Sequence, residues 1–192
     1  MGAPADRVHL TRLGVPPRRH PPEPRRPARA PAGRFALVVG DNRPRKNLEV
    51  LAHAWARFGE RPPLTLVWAG RPLSRHEGLV ELADRIGARG VTGTGWVEEG
   101  ELSWLYAHAD MVLFPSRYEG FGFPLVEAFA HGTPVIASDI PPLREIGEGA
   151  ARFVPPGDAA GWAAAVSALV EDDGERERMR SSGRARAASL TY

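Results

Sequence analysis

The sequence predicts an α/β fold, one parallel sheet of about six strands with helices on both faces. Three observations predict it. Short apolar runs, each closed by Gly, Pro, Ser or Asp, recur from residue 34 onward. Between them lie stretches of helical periodicity long enough to cross back over a sheet. The runs are apolar throughout, the pattern of strands buried on both faces, and do not alternate with polar residues.

Taken in order, RFALVVG (34–40) is the first strand. NLEVLAHAWARF (47–58) is a helix with Asn47 at its N-cap and Leu48, Leu51, Ala52, Trp55 and Phe58 on one face. PLTLVWAG (63–70) is the second strand, HEGLVELADRIG (76–87) a helix stopped by Gly, and GVTGTGWV (90–97) a short third strand and a turn. EEGELSWLYAHA (98–109) is a helix and DMVLFPS (110–116) the fourth strand. FPLVEAFAHG (123–132) is a helix with Pro124 in its first turn, where a missing N–H is tolerated, and Gly132 past its end. TPVIASD (133–139) is the fifth strand and ARFVPPGD (151–158) holds a sixth. AAGWAAAVSALVED (159–172) and GERERMRSSGRARAASL (174–190) are closing helices.

This organisation divides the chain into an arm, residues 1–33, and a folded domain, residues 34–192. Within the arm, PPRRHPPEPRRPARAPAG (16–33) has little to bury and reads as an extended linker. DRVHLTRLGV (6–15) has the alternation of an edge strand at Val8, Leu10 and Leu13.

Composition narrows the function. The 192 residues suit one domain with a substantial core. There is no cysteine, which excludes a disulfide framework and thiolate metal sites. No apolar run approaches the roughly 18 residues of a spanning helix, and no leader is evident, so a cytoplasmic location is expected. The net charge is +2, but residues 1–33 carry seven Arg against Asp6 and Glu23, a net of +5, leaving −3 for the rest. The pI of about 9.5 therefore reflects the arm and the arginines. A basic face interleaved with aromatics is missing, which argues against a nucleic-acid partner. The six His do not pair at metal-ligand spacing, so no metal is expected. There is no Walker A sequence or G-x-S-x-G elbow, and GTGWVE (93–98) fails as a dinucleotide fingerprint because it ends in Glu98.

In such sheets ligands sit at the carboxyl ends of the strands, and two loops there carry unusual residues. GDNRPRKN places Arg43, Arg45 and Lys46, the only lysine of the chain, between a strand and a helix N-terminus. Three cations there repel one another and add to the helix's own preference for anions, an arrangement that a diphosphate would satisfy. A solvated basic loop is the alternative. SRYEGFGFPLVEA (116–128) runs from a strand end into a helix, with Gly120 and Gly122 around Phe121 and two carboxylates, Glu119 and Glu127. Carboxylates beside an anion site suit a ligand that also carries hydroxyls. The alternative is a helix cap at Glu119 and a solvent-facing Glu127. His131 closes this helix, where a cation is favourable.

YEGFGFPLVEAFAHGTPVIASD, with Glu119 and Glu127 eight positions apart, closely resembles the signature of the retaining, GT-B-fold glycosyltransferases of family 4. VVGDNRPRKNLEVLAHAW, GTGWVEEGELSWLYAHADMVLFPS and REIGEGAARFVPPGD are similar to that family's segments, in its order and spacing, and the RKN form looks most like mannosyltransferase-type members. The resemblance covers residues 34 to 190 and implies a Rossmann-like, nucleotide-sugar-binding domain, one half of a GT-B fold. It implies that Lys46, with Arg45 or Arg43, holds the donor diphosphate. Glu119 faces the donor sugar, with the backbone of Phe121, Gly122 and Phe123 nearby. Glu127 accepts from the ribose, Trp96 and Val97 border the base, and Leu125 and Val126 pack near the nucleotide. The reaction implied is metal-free hexose transfer with retention, GDP-mannose being the favoured donor. The implied cofactor is none beyond the nucleotide sugar. Family members carry a further domain that binds the acceptor. On that comparison this chain is expected to bind donor but to transfer poorly alone. A non-catalytic nucleotide-sugar-binding module is the competing reading, and a sugar-nucleotide epimerase of similar fold a weaker one. The arginines of the arm suit contact with an anionic membrane surface.

Overall fold

The computed structural model describes residues 23–73 and 77–190. Six parallel strands form one sheet: β1 Phe35–Val39, β2 Thr65–Ala69, β3 Val91–Gly95, β4 Met111–Phe114, β5 Val135–Ser138 and β6 Ala151–Val154. Their order is β3-β2-β1-β4-β5-β6. The helices are α1 Leu48–Ala56, α2 Leu79–Ile86, α3 Glu99–His108, α4 Phe123–Ala130, α5 Pro141–Gly147, α6 Ala159–Glu171 and α7 Asp173–Ser189. This is the Rossmann-like α/β sheet that the alternating pattern predicts.

The four central strands, β2, β1, β4 and β5, are largely apolar because each face of the sheet has its own core. Ala36, Val38, Leu66, Trp68, Leu113 and Ile136 face a cluster with Leu51 and Trp55 of α1, Leu79 of α2 and Trp162 of α6. Their neighbours Phe35, Leu37, Val67, Val112, Phe114, Val135 and Ala137 face a second cluster with Leu105 of α3, Leu125 and Phe129 of α4 and Leu143 of α5. The indole N–H groups inside are satisfied: Trp55 donates to Leu64 O and Trp162 to Pro155 O, both at 3.2 Å. An unmade hydrogen bond at such a site would cost about 1–3 kcal/mol.

The structure departs from the sequence expectations in four places. Helix α5 was not among the elements expected, and it opens with Pro141 and Pro142. They occupy the first helical positions, where fixed φ and a missing N–H are compatible with a helix start. Asn47 stands at the N-cap of α1 but its side chain does not cap. The arm, read as an extended linker with little to bury, contacts the domain over residues 23–33. It has no helix or strand there, yet it packs on α3. Arg25 N donates to Gly100 O at 3.0 Å, Arg25 pairs with Glu98 at 2.6 Å, and the Arg26 guanidinium lies 5.6 Å over the Trp104 ring. A Cβ at Gly100 would meet Glu23 O at 2.7 Å, so only glycine lets the arm lie this close. The fourth departure is a 3-10 turn, Pro44–Lys46, before α1. The expected strand at 6–15 and the expected helix start at His76 lie outside the described residues.

Helix α7 is rich in arginine and buries few apolar side chains, among them Met179 and Ala187. It packs on α4, where Gly183 lies against Phe129, and its arginines cap other helices. Arg176 Nη1 donates to Leu169 O and Val170 O at the end of α6, at 2.5 and 2.6 Å. Arg186 Nε donates to Ile146 O at the end of α5, at 2.9 Å. The Arg184 guanidinium packs on Gly132, just past α4. Helix C-termini leave carbonyls unsatisfied and carry a negative partial charge, so a cation there is doubly favourable.

Candidate functional site

The strand order reverses at β1, which lies between β2 and β4. Loops leaving the carboxyl ends of β1 and β4 therefore diverge, and a crevice opens between them. The β1–β4 register is Ala36↔Met111 and Leu37↔Val112, so the last residues of both strands lie beyond the pairing. The two loops carrying the unusual residues meet here, and Arg117 N donates to Arg45 O at 2.8 Å to join them.

Lys46 and Glu119 form the centre. Lys46 Nζ lies 2.6 Å from Glu119 Oε1, with side chains only 11% and 10% exposed. The same oxygen accepts from Ser116 Oγ at 2.8 Å and from Arg45 Nη1 at 3.3 Å. The Lys46 ammonium sits 5.1 Å over the Phe114 ring, and its stem runs beside Gly40. A narrow slot of this kind takes a compact ammonium on a straight stem and has no place for a broad planar fork, which gives the single lysine a physical reason. The expected mutual repulsion of three cations is reduced within the chain, because Glu119 pairs with Lys46 and Arg45 and Asp41 with Arg43. Glu119 is thus neither a helix cap nor solvent-facing.

Arg43 is directed elsewhere. It pairs with Asp41 at 3.6 Å and lines an open groove of about 420 Å³ with Asn42, Pro44, His53, Glu77 and Arg117. Of the two arginines of the loop, Arg45 is the one brought to the Lys46–Glu119 pair. Asn47, with φ 54°, is the one non-glycine residue of positive φ among the described residues. Its Nδ2 donates to Pro115 O at 2.9 Å and Pro156 O at 2.7 Å, and its Oδ1 accepts from Arg117 Nε at 2.8 Å. It staples the loops after β1, β4 and β6, a use of its side chain that excludes capping.

The second loop turns into α4 at Gly122, with φ 95°. A Cβ there would be strained and would meet Leu143 Cδ2 at 2.9 Å, whereas one at Gly120 would meet nothing. Of the two glycines, the turn requires Gly122. Phe121 and Phe123 flank it, their ring centroids 5.0 Å apart. Among the described residues, Phe123, Tyr118 and Trp96 are the exposed large hydrophobic residues, at 49%, 71% and 66%. All three lie in loops or a helix start beyond the carboxyl ends of β3 and β4. Val97 packs against the second core cluster. Leu125 and Val126, expected to pack near the nucleotide, are both buried within that core.

Glu127, one turn further along α4, is half-buried and not solvent-facing. Its Oε2 accepts from the Tyr106 hydroxyl at 3.0 Å. His131 hydrogen-bonds Ser103 Oγ through Nε2 at 2.9 Å and Glu127 O through Nδ1 at 2.8 Å. Sequence reasoning missed Ser116, Arg117 and Tyr106. Ser116 could have been found by its place three residues before Glu119 at a strand end. Tyr106 carries no local signal beyond being a phenol on an apolar helix face.

A protein-family model described as glycosyl transferases group 1 matches residues 33–172. The chain belongs to this family. O-antigen chain mannosyltransferase B of Escherichia coli is 31% identical to this group 1 domain over 161 residues, covering 82% of this chain and 42% of that protein. Sucrose-phosphate synthase from Thermosynechococcus elongatus superposes with a TM-score of 0.72 at 29% identity, covering 84% of this chain and 42% of that one. HepE of Anabaena, solved in complex with UDP and glucose, gives a TM-score of 0.73 at 25% identity, covering 83% and 45%. This group 1 glycosyltransferase chain thus spans about two fifths of the length of the relatives it matches. No helix among its described residues is long and apolar enough to cross a membrane.

Proposed function

We propose that this chain is the donor-binding half of a retaining, family 4 glycosyltransferase that moves a hexose from a nucleoside diphosphate sugar to an acceptor held by a further domain. The observation that carries this reading is the Lys46–Glu119–Arg45 cluster at the β1/β4 crevice of a group 1 domain. The mannosyltransferase relative favours a mannosyl donor, and GDP is the carrier this reading adopts from the RKN form of the loop after β1.

In this reading the donor diphosphate lies over the loop after β1. The bond from the anomeric carbon to the diphosphate oxygen breaks, the acceptor oxygen bonds to that carbon on the same face, and the acceptor's proton leaves with the diphosphate. Negative charge grows on the departing oxygen, where Lys46, Arg45 and the N-terminus of α4 stabilise it without a metal. Glu119 faces the sugar and holds the two cations in register. Phe121, Gly122 and Phe123 present backbone at the sugar, Trp96 and Val97 border the base, and Glu127 accepts from the ribose. Arg43, turned to its own groove, takes at most the outer edge of the diphosphate. The reaction belongs on the cytoplasmic side, with the basic arm toward an anionic membrane surface.

Calorimetric titration with GDP, UDP, ADP and dTDP tests this. One nucleotide should bind, and Arg45→Ala should weaken it about tenfold. Binding of none of the four, or binding indifferent to Arg45 and Lys46, would refute the reading.

A further inference from the structure

Tyr106 is 1% exposed in the last turn of α3, a place where phenylalanine would fill the same volume. A buried phenol must be hydrogen-bonded or costs stability. Here the partner is the Glu127 carboxylate, with Tyr106 Oη 3.0 Å from Oε2.

The surroundings fix this contact from three sides. The Tyr106 ring stacks on His131, with centroids 5.3 Å apart and planes 25° from parallel. The Tyr106 carbonyl accepts from Thr133 Oγ1 at 2.6 Å. His131 is itself immobilised. Its Nδ1 faces the Glu127 carbonyl, which can only accept, so Nδ1 carries the proton. In the neutral ring Nε2 then accepts from the Ser103 hydroxyl. A polar layer therefore joins α3, which follows Trp96 and Val97, to α4, which follows the Gly122 turn. Its one charged end is Glu127.

We propose that Tyr106 is a positioning residue for nucleotide recognition: its phenol sets the angle of the Glu127 carboxylate toward the ribose hydroxyls, and so sets the preference for ribo- over deoxyribonucleotides. This rests on the assignment of Glu127 to the ribose in the proposed function. A carboxylate offers about four lone-pair directions, so accepting from the phenol orients Glu127 without saturating it.

The test is calorimetric affinity for GDP, 2′-deoxy-GDP and 3′-deoxy-GDP, with UDP and its deoxy forms run in parallel. Native chain, Glu127→Ala, Tyr106→Phe and the double variant are compared. The native chain should prefer the ribonucleotide by about tenfold, the size of a hydrogen bond to a charged group. Glu127→Ala should erase the preference. Tyr106→Phe should reduce it to about twofold while leaving deoxynucleotide affinity unchanged, and the double variant should match Glu127→Ala. A preference that survives Glu127→Ala, or no binding of GDP or UDP, refutes the ribose assignment and the inference with it. A preference lost in Glu127→Ala but kept in Tyr106→Phe leaves the assignment standing and overturns the role of Tyr106. So does an equal loss of affinity for all nucleotides, the signature of a purely structural residue. If Tyr106→Phe does not fold, His131→Gln, which removes the stacked ring, must lower the same ratio, and an unchanged ratio overturns the inference.

Discussion

Lys46 and Glu119, 73 positions apart in the chain, meet at 2.6 Å across the crevice between β1 and β4. The pair sets an internal competition, since a diphosphate seeking Lys46 and Arg45 meets a carboxylate already holding both. Glu119→Gln removes that competitor and its repulsion of the incoming anion. At about 10 Å and an effective dielectric of about 20, such repulsion is worth ~1–2 kcal/mol. Glu119→Gln should therefore bind the free nucleoside diphosphate about tenfold more tightly by calorimetry. Once an acceptor domain is supplied, it should transfer sugar more slowly.

Lys46→Met should lower stability by about 2–3 kcal/mol in urea denaturation. Breaking one side of a buried ion pair usually costs somewhat more, but Arg45 and Ser116 remain on the carboxylate. Lys46→Arg should not restore full stability, because the slot between Gly40 and Phe114 was filled by a straight stem.

Gly122→Ala places a Cβ at φ 95° and 2.9 Å from Leu143. It should cost about 2 kcal/mol in chemical denaturation. Gly120→Ala, where the added carbon meets nothing, should lie within about 0.5 kcal/mol of the native chain.

Asp139, at the end of β5, is hydrogen-bonded by Arg144 of α5, whose guanidinium holds the carboxyl below its ordinary range. A carboxyl depressed by folding stabilises the fold above its unfolded pKa, near 3.9, and loses that contribution as pH falls through the folded value. Melting curves of Asp139→Asn should lie below those of the native chain at pH 6. The gap should close as the pH drops below about 4.

Strand and helix positions were legible because periodicity is local, and the buried sheet announced itself in runs such as ALVV and MVLF. The α5 helix was not, because seven residues give too short a periodic run to stand out, and the packing of Leu143 and Ile146 decides it. Residues of the two candidate loops could be named one by one. Their pairing could not, since the strand order that brings residue 46 to residue 119 is a tertiary fact. Asn47 shows the same limit: its composition suits a cap, but two carbonyls and an arginine from other loops outbid the helix end for its side chain.

The arginines of α7 have a consequence for synthesis on the ribosome. Once α6 has emerged, all six strands already exist, yet the carbonyls at the ends of α5 and α6 still lack the guanidinium groups of residues 176 and 186. A nascent chain at that stage holds a full complement of strands with frayed helix ends. Arg184, Arg186 and Arg176 close those ends together as the last helix appears, so the domain should gain resistance to protease abruptly rather than gradually as translation passes α7.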